Sequence, residues 1–185
     1  MIRQKLAHLT LKLLGWHTKI EGEDLPKCVI CVAPHTSNLD FFFGKLAYTS
    51  VGRTANFLIK KGWFFFPLNL FWKFIGGVAV NRMKNLKMTD QMVSKFKQLK
   101  SFKLAITPEG TRKLNPNWKS GFYHIALKAE VPIALFYIDY RLREVGCFDF
   151  FYPTGDEEKD MWKIKSYYER VQGKHPQLFS IGVRS

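Results

Sequence analysis

The chain has 185 residues, 46% hydrophobic and 24% charged, enough apolar matter for one packed core, which excludes a disordered chain. Lys and Arg number 29 against 15 Asp and Glu, and the net charge of +14 calls for an anionic partner: phosphate ligands, nucleic acid or an acidic membrane surface. Aromatics are 16% of the chain and clump in Phe41-Phe42-Phe43, Trp63-Phe64-Phe65-Phe66 and Phe71-Trp72 instead of interleaving with Lys and Arg, which argues for a lipid or acyl-chain surface and against a base-stacking platform.

Residues 2–16 read as an amphipathic helix with Ile2, Leu6, Leu9, Leu13 and Trp16 on one face and Arg3, Lys5 and Lys12 off it. Such a helix suits a membrane interface or packing on the domain, and no secretory signal is visible. Cys28 to Ala33 is an apolar run that predicts a buried strand, ended by Pro34. A strand points Cys28 and Cys31 to opposite faces, so their C-x-x-C spacing reads as two buried thiols in a reducing compartment, with no disulfide and no metal.

A helix near 38–50 and a strand near 54–59 follow. Gly62 to Val80 approaches the length of a membrane span, but Pro67, Asn69 and Lys73 interrupt it and Gly76-Gly77 divides it. It predicts a buried or interfacial helix over 63–75, then a short strand over 77–81. A polar helix near 86–100 keeps Met88, Met92, Phe96 and Leu99 at helical spacing. The strand Phe102–Thr107, a helix near 120–130 and the strands Ile133–Tyr140 and Cys147–Tyr152 come next. A last helix over 156–171 has Met161, Ile164, Tyr168 and Val171 inward and the acidic run Asp156–Asp160 as a solvated first turn. This alternation predicts an α/β fold: one domain over 1–185, with a largely parallel central sheet flanked by helices.

Two motifs carry chemistry. His35 sits at a strand end with Asp40 in the first turn behind it, close enough for the carboxylate to hold one imidazole nitrogen while the other takes a proton from an alcohol. The same residues also form a capping box, with Ser37 as N-cap and Asp40 as its reciprocal acceptor. Thr107-Pro108-Glu109-Gly110-Thr111-Arg112 suits a type I turn and equally an anion cradle, in which Gly110 admits a ligand, Thr111 offers a hydroxyl and Arg112 a planar fork. His8, His17, His124 and His175 have no metal-ligand spacing.

Together these motifs resemble the glycerolipid acyltransferase family, which includes the lysophosphatidic acid acyltransferases. That family carries H-x-x-x-x-D, a K…G…R block, P-E-G-T-R and a V-P-I block. The chain has His35 to Asp40, Lys60 through Gly77 to Arg82, Pro108 to Arg112, and Val131-Pro132-Ile133 in that order, over roughly residues 27 to 140. The resemblance implies transfer of a fatty acyl group from acyl-CoA or acyl-carrier protein to a lysolipid hydroxyl, with no cofactor or metal beyond the acyl co-substrate. His35 would be the general base and Asp40 its orienter. Glu109, Gly110, Thr111 and Arg112 would bind the acceptor's anionic head group, assisted by Arg82, Lys60 and Lys119, and the apolar surface from Trp63 to Phe74 would take the acyl chain.

The chain departs from the pattern at Pro34, where Asn is usual, at Thr107, where Phe is common, and at Leu135, where a second proline is common. These departures leave the base untouched and weaken lysophosphatidate as the acceptor, so acylation of a lyso-amino-acid lipid stands beside it. The expected place is peripheral, on the cytoplasmic face of the cell membrane, against anionic lipid and without nucleic acid. The rivals are a basic nucleic-acid-binding module, which explains the charge but not the paired motifs, and an acyl-thioester hydrolase on the same site.

Overall fold

The computed structural model describes residues 2–63, 65–80 and 88–183, and the side chains of these except Lys60, Trp63 and Val80. Its centre is a seven-stranded sheet in the order β1-β7-β6-β2-β5-β3-β4. The strands are β1 (His17–Lys19), β2 (Lys27–Ala33), β3 (Asn56–Lys60), β4 (Gly77–Val80), β5 (Phe102–Ile106), β6 (Ile133–Asp139) and β7 (Glu144–Phe151). Every pairing is parallel except β6 with β7, which is antiparallel. The connection from Asp139 to Glu144 is too short for a crossover, so β7 must turn back beside β6. The six α-helices among the described residues are α1 (Ile2–Leu13), α2 (Leu39–Ser50), α3 (Leu68–Phe74), α4 (Met88–Gln98), α5 (Gly121–Ala129) and α6 (Glu157–Ser166). The fold is the expected single α/β domain with a mostly parallel sheet.

Strand period 2 divides the core into two layers. Val29, Cys31, Ala33, Ile133, Leu135 and Tyr137 face α4, α5 and α6, where they meet Phe96, Phe122 and Ile164. Cys28, Ile30, Ala134, Phe136 and Ile138 face the other way, onto Leu11, Phe43 and Ala47 of α1 and α2. With both faces covered, β2 and β6 read as continuous apolar runs rather than alternating ones. Cys28 and Cys31 are free and buried on opposite layers, and burial pushes the Cys28 thiol up to about 12.

The ends of the chain differ from expectation. Helix α1 stops at Leu13, and Gly15 follows with φ +72°, a left-handed conformation that favours glycine and turns the chain toward β1. Trp16 therefore leaves the helical stripe and stacks on Phe43, with ring centroids 4.0 Å apart. The helix packs inward through Ala7 and Leu11, while Ile2, Leu6, Leu9 and Leu13 remain exposed. In α6, Asp156 is the N-cap, accepting from Lys159 N–H, but Asp160 is buried, not solvated: it accepts from Tyr123 Oη and Thr154 Oγ1, each at 3.0 Å. His124 is paired through Nε2 with Glu157 at 3.3 Å.

Candidate active site

Strands β2 and β5 are neighbours, and the chain leaves them to opposite faces of the sheet, toward α2 and α5. Their carboxyl ends thus open a crevice at a switch in topology, the place where open α/β sheets bind ligands. His35 follows β2 and Glu109 follows β5, so the fold brings the two motifs to one point.

Asp40 lies in the first turn of α2 with its side chain only 2% exposed, and its carboxylate turns back over the preceding loop. Asp40 Oδ2 lies 3.2 Å from His35 Nδ1 and accepts the backbone N–H groups of Thr36 and Ser37, each at 2.8 Å. Asp40 Oδ1 accepts from Tyr140 Oη at 2.7 Å. The capping and the catalytic reading of Asp40 are therefore both present in one group. The N-cap itself is Asn38, not Ser37, whose hydroxyl accepts from Leu39 N–H at 3.2 Å. With Nδ1–H donated to the carboxylate, His35 has Nε2 free as an acceptor, and its side chain is 22% exposed at the crevice.

Glu109 is buried and points inward. Its Oε1 accepts the backbone N–H of His35 at 2.8 Å, while Oε2 is buried without a partner. Burial raises its carboxyl to about 7, partly offset by the hydrogen bond from His35. Head-group contact was the expectation for this residue; here it braces the loop that carries His35. Gly110 has φ +65°, a left-handed conformation that favours glycine, and the Lys119 side chain lies against it, with Cε 2.9 Å from where a Cβ would stand. The turn is closed by Lys119 N–H on Pro108 O at 2.8 Å and by Asn115 Nδ2 on Glu109 O at 2.7 Å. Thr111 Oγ1 accepts from Lys113 N–H at 3.2 Å. The exposed guanidinium of Arg112 reaches back to α2 and donates through Nη1 to Asn38 Oδ1, which joins the two motifs across the crevice mouth. Arg82 and the side chain of Lys60 lie outside the described residues.

A cavity of about 600 Å³ runs inward from this mouth, between α2 and the sheet. His35, Asn38, Gly110 and Lys119 line its entrance, and Ile30, Val32, Tyr48, Leu58, Ile106 and Phe136 are among its apolar walls. The volume lies within the roughly 300–1,000 Å³ usual for ligand sites. Half-buried Lys45 in its wall donates to Ile75 O at 2.8 Å, and burial lowers its ammonium below the ordinary lysine value. The cavity's lining comes mainly from α2 and the sheet, joined by Met88 of α4 and by Gly121 and Phe122 of α5; among the described residues none of segment 63–74 contributes. In that segment Phe65, Phe66, Leu70, Phe71 and Phe74 are exposed instead. No helix among the described residues is long and apolar enough to cross a membrane.

Neither the inward turn of Glu109 nor the contact of Tyr140 with Asp40 was foreseen. A P-E-G-T-R string does not say which way its carboxylate points. Tyr140 lies 100 residues from Asp40, and only the register of β6 against β2 brings its hydroxyl to that carboxylate.

A family model described as Acyltransferase matches residues 17–138. Among solved structures, the chain is similar to the 1-acyl-sn-glycerophosphate (LPA) acyltransferase PlsC from Thermotoga maritima, with a TM-score of 0.60 and 18% sequence identity over 92% of this chain and 80% of that one. No curated protein matches the chain. The family match spans most of the chain and contains both motifs that meet at the crevice, so the chain belongs to the acyltransferase family.

Proposed function

We propose that the chain transfers a fatty acyl group from acyl-CoA or acyl-carrier protein to the hydroxyl of a lysolipid, with 1-acyl-glycerol-3-phosphate as first acceptor. The observation that carries this reading is the His35–Asp40 pair at the entrance of a deep apolar cavity. A thioester held with its alkyl chain in the cavity has its carbonyl beside His35. Nε2 takes the acceptor's hydroxyl proton as the oxygen attacks the carbonyl carbon. The C–S bond then breaks, and the departing thiolate takes the proton from His35. Asp40 keeps the ring oriented and stabilises the transient imidazolium. The thioester supplies the driving force, so the protein's part is positioning and proton transfer.

Lys119 and Gly110 line the mouth, Arg112 reaches it through Asn38, and with Thr111 they meet the acceptor's phosphate; Arg82 and Lys60 are assigned to the same task by the family pattern. A phosphomonoester carries up to two negative charges and suits such cations through charge-assisted hydrogen bonds. The Thermotoga maritima relative's description as an LPA acyltransferase supports this acceptor.

The exposed apolar stripe of α1, Phe41 and Phe42 of α2, and Phe71 and Phe74 of α3 form the face that meets the bilayer on its cytoplasmic side. Arg3 lies over the Phe74 ring at 4.6 Å and links α1 to α3. Attachment is peripheral and draws on the net charge of +14.

Labelled acyl-CoA and acyl-carrier protein, offered with a panel of lysolipids and followed by mass spectrometry, test the reading. The expected product is diacylglycerol phosphate. Faster acylation of lyso-ornithine or lyso-glycine lipids would replace the acceptor, and free fatty acid without acylated lipid would make the protein a hydrolase.

A further inference from the structure

We propose that Tyr140, which lies beyond the family-matched residues, is a positioning residue whose hydroxyl locks the Asp40 carboxylate onto His35; this rests on the reading of His35 as the base. Three donors crowd Asp40 Oδ2: the N–H groups of Thr36 and Ser37 at 2.8 Å, and His35 Nδ1 at 3.2 Å. The contact to His35 is the longest of the three, so a small rotation of the carboxylate loses His35 first. Carboxylate torsions are broad and restrain such a rotation poorly. On the other oxygen, Oδ1, the hydrogen bond from Tyr140 Oη at 2.7 Å opposes it.

Tyr140 is itself held from three sides. Its ring makes edge contacts with Trp16 at 5.0 Å and Phe43 at 6.0 Å between centroids. Its backbone N–H donates to Gln172 O at 2.8 Å. The segment that supplies this carbonyl also grips the catalytic loop: His175 N–H donates to Thr36 Oγ1 at 3.2 Å, and a Cβ on buried Gly173 would lie 2.8 Å from that same oxygen. Phe43 belongs to the family-matched 17–138, while Trp16 and residues 172–175 lie outside it, so the brace joins the shared domain to parts of the chain that flank it.

The test is Tyr140→Phe, which removes one oxygen and keeps the ring. In acyl transfer, kcat should fall about tenfold with KM for both substrates within about twofold, and Tm should move by less than about 3 °C. In an Asp40→Asn background the same change should cost less than about twofold, since Tyr140 acts through that carboxylate. On chain labelled with ¹⁵N-histidine, the His35 ring resonances, identified by their loss in His35→Ala, should shift in Tyr140→Phe. An unchanged kcat, or an equal loss with and without Asp40, overturns the proposal. Should the chain transfer no acyl group, the functional reading fails on its own and the resonances still decide: a shift upholds the Tyr140–Asp40–His35 linkage, and unchanged resonances overturn it.

Discussion

Glu109 Oε1 accepts the backbone N–H of His35 at 2.8 Å. This bond ties the loop after β5 to the loop after β2, and it makes a buried carboxyl part of what holds the base in place. Its partner oxygen has no hydrogen bond, and its carboxyl is raised from 4.5 to about 7 by burial.

That shift makes stability depend on pH. Between 4.5 and about 7 the folded chain holds a proton on Glu109 that the unfolded chain has released. The stabilisation from this group is therefore complete below 4.5 and is lost as pH rises through 7, by roughly 3 kcal/mol over the window. Glu109→Gln should remove this slope. Denaturant titrations of both proteins from pH 5 to 8.5 check it; a stability difference between them that stays constant with pH contradicts the assignment.

Arg112 should act on the acceptor more than on the donor. Arg112→Ala should raise the acceptor KM about tenfold or more and leave the acyl-donor KM nearly unchanged, as expected for loss of a charge-assisted fork. Arg112→Lys should restore part of the loss, because a lysine brings the charge without the planar pair of donors. Full recovery with Lys, or equal loss for both substrates in steady-state kinetics, rules out the clamp.

The outward stripe of α1 should be dispensable for folding and needed for membrane attachment. Leu6 and Leu13 are 59% and 78% exposed, so Leu6→Glu with Leu13→Glu should change stability by less than about 0.5 kcal/mol each. The same pair should cut co-sedimentation with vesicles rich in anionic lipid, and added salt should weaken wild-type binding. Unimpaired binding by the double variant would move the contact surface elsewhere.

The strands that frame the crevice were legible because β2 and β6 are buried on both faces and carry long apolar runs, and β5 is apolar apart from Lys103. β1 was not: His17–Lys19 is three residues at the sheet edge, with too little apolar character for a pattern to register. β7 was placed from Cys147 rather than Glu144, which hid the short turn that fixes its antiparallel direction. The amphipathic stripe of α1 was visible, but not that Ala7 and Leu11 take the core; composition ranks Leu above Ala for burial, while close helix packing favours the small residue. At the site, the pairing of His35 with Asp40 followed from local spacing. Glu109 and Tyr140 reach the same loop through tertiary contacts 74 and 100 residues apart in sequence, which leave no local trace.

The comparison of His35→Ala with the wild-type chain in acceptor-dependent acyl transfer, with melting curves on the same samples, bears most directly on the catalytic assignment. His35 belongs to neither layer of the hydrophobic core, so the fold should persist with Tm nearly unchanged. Loss of a positioned general base should lower kcat by about 10²–10⁴. Transfer by a folded His35→Ala protein at near wild-type rate would contradict the account.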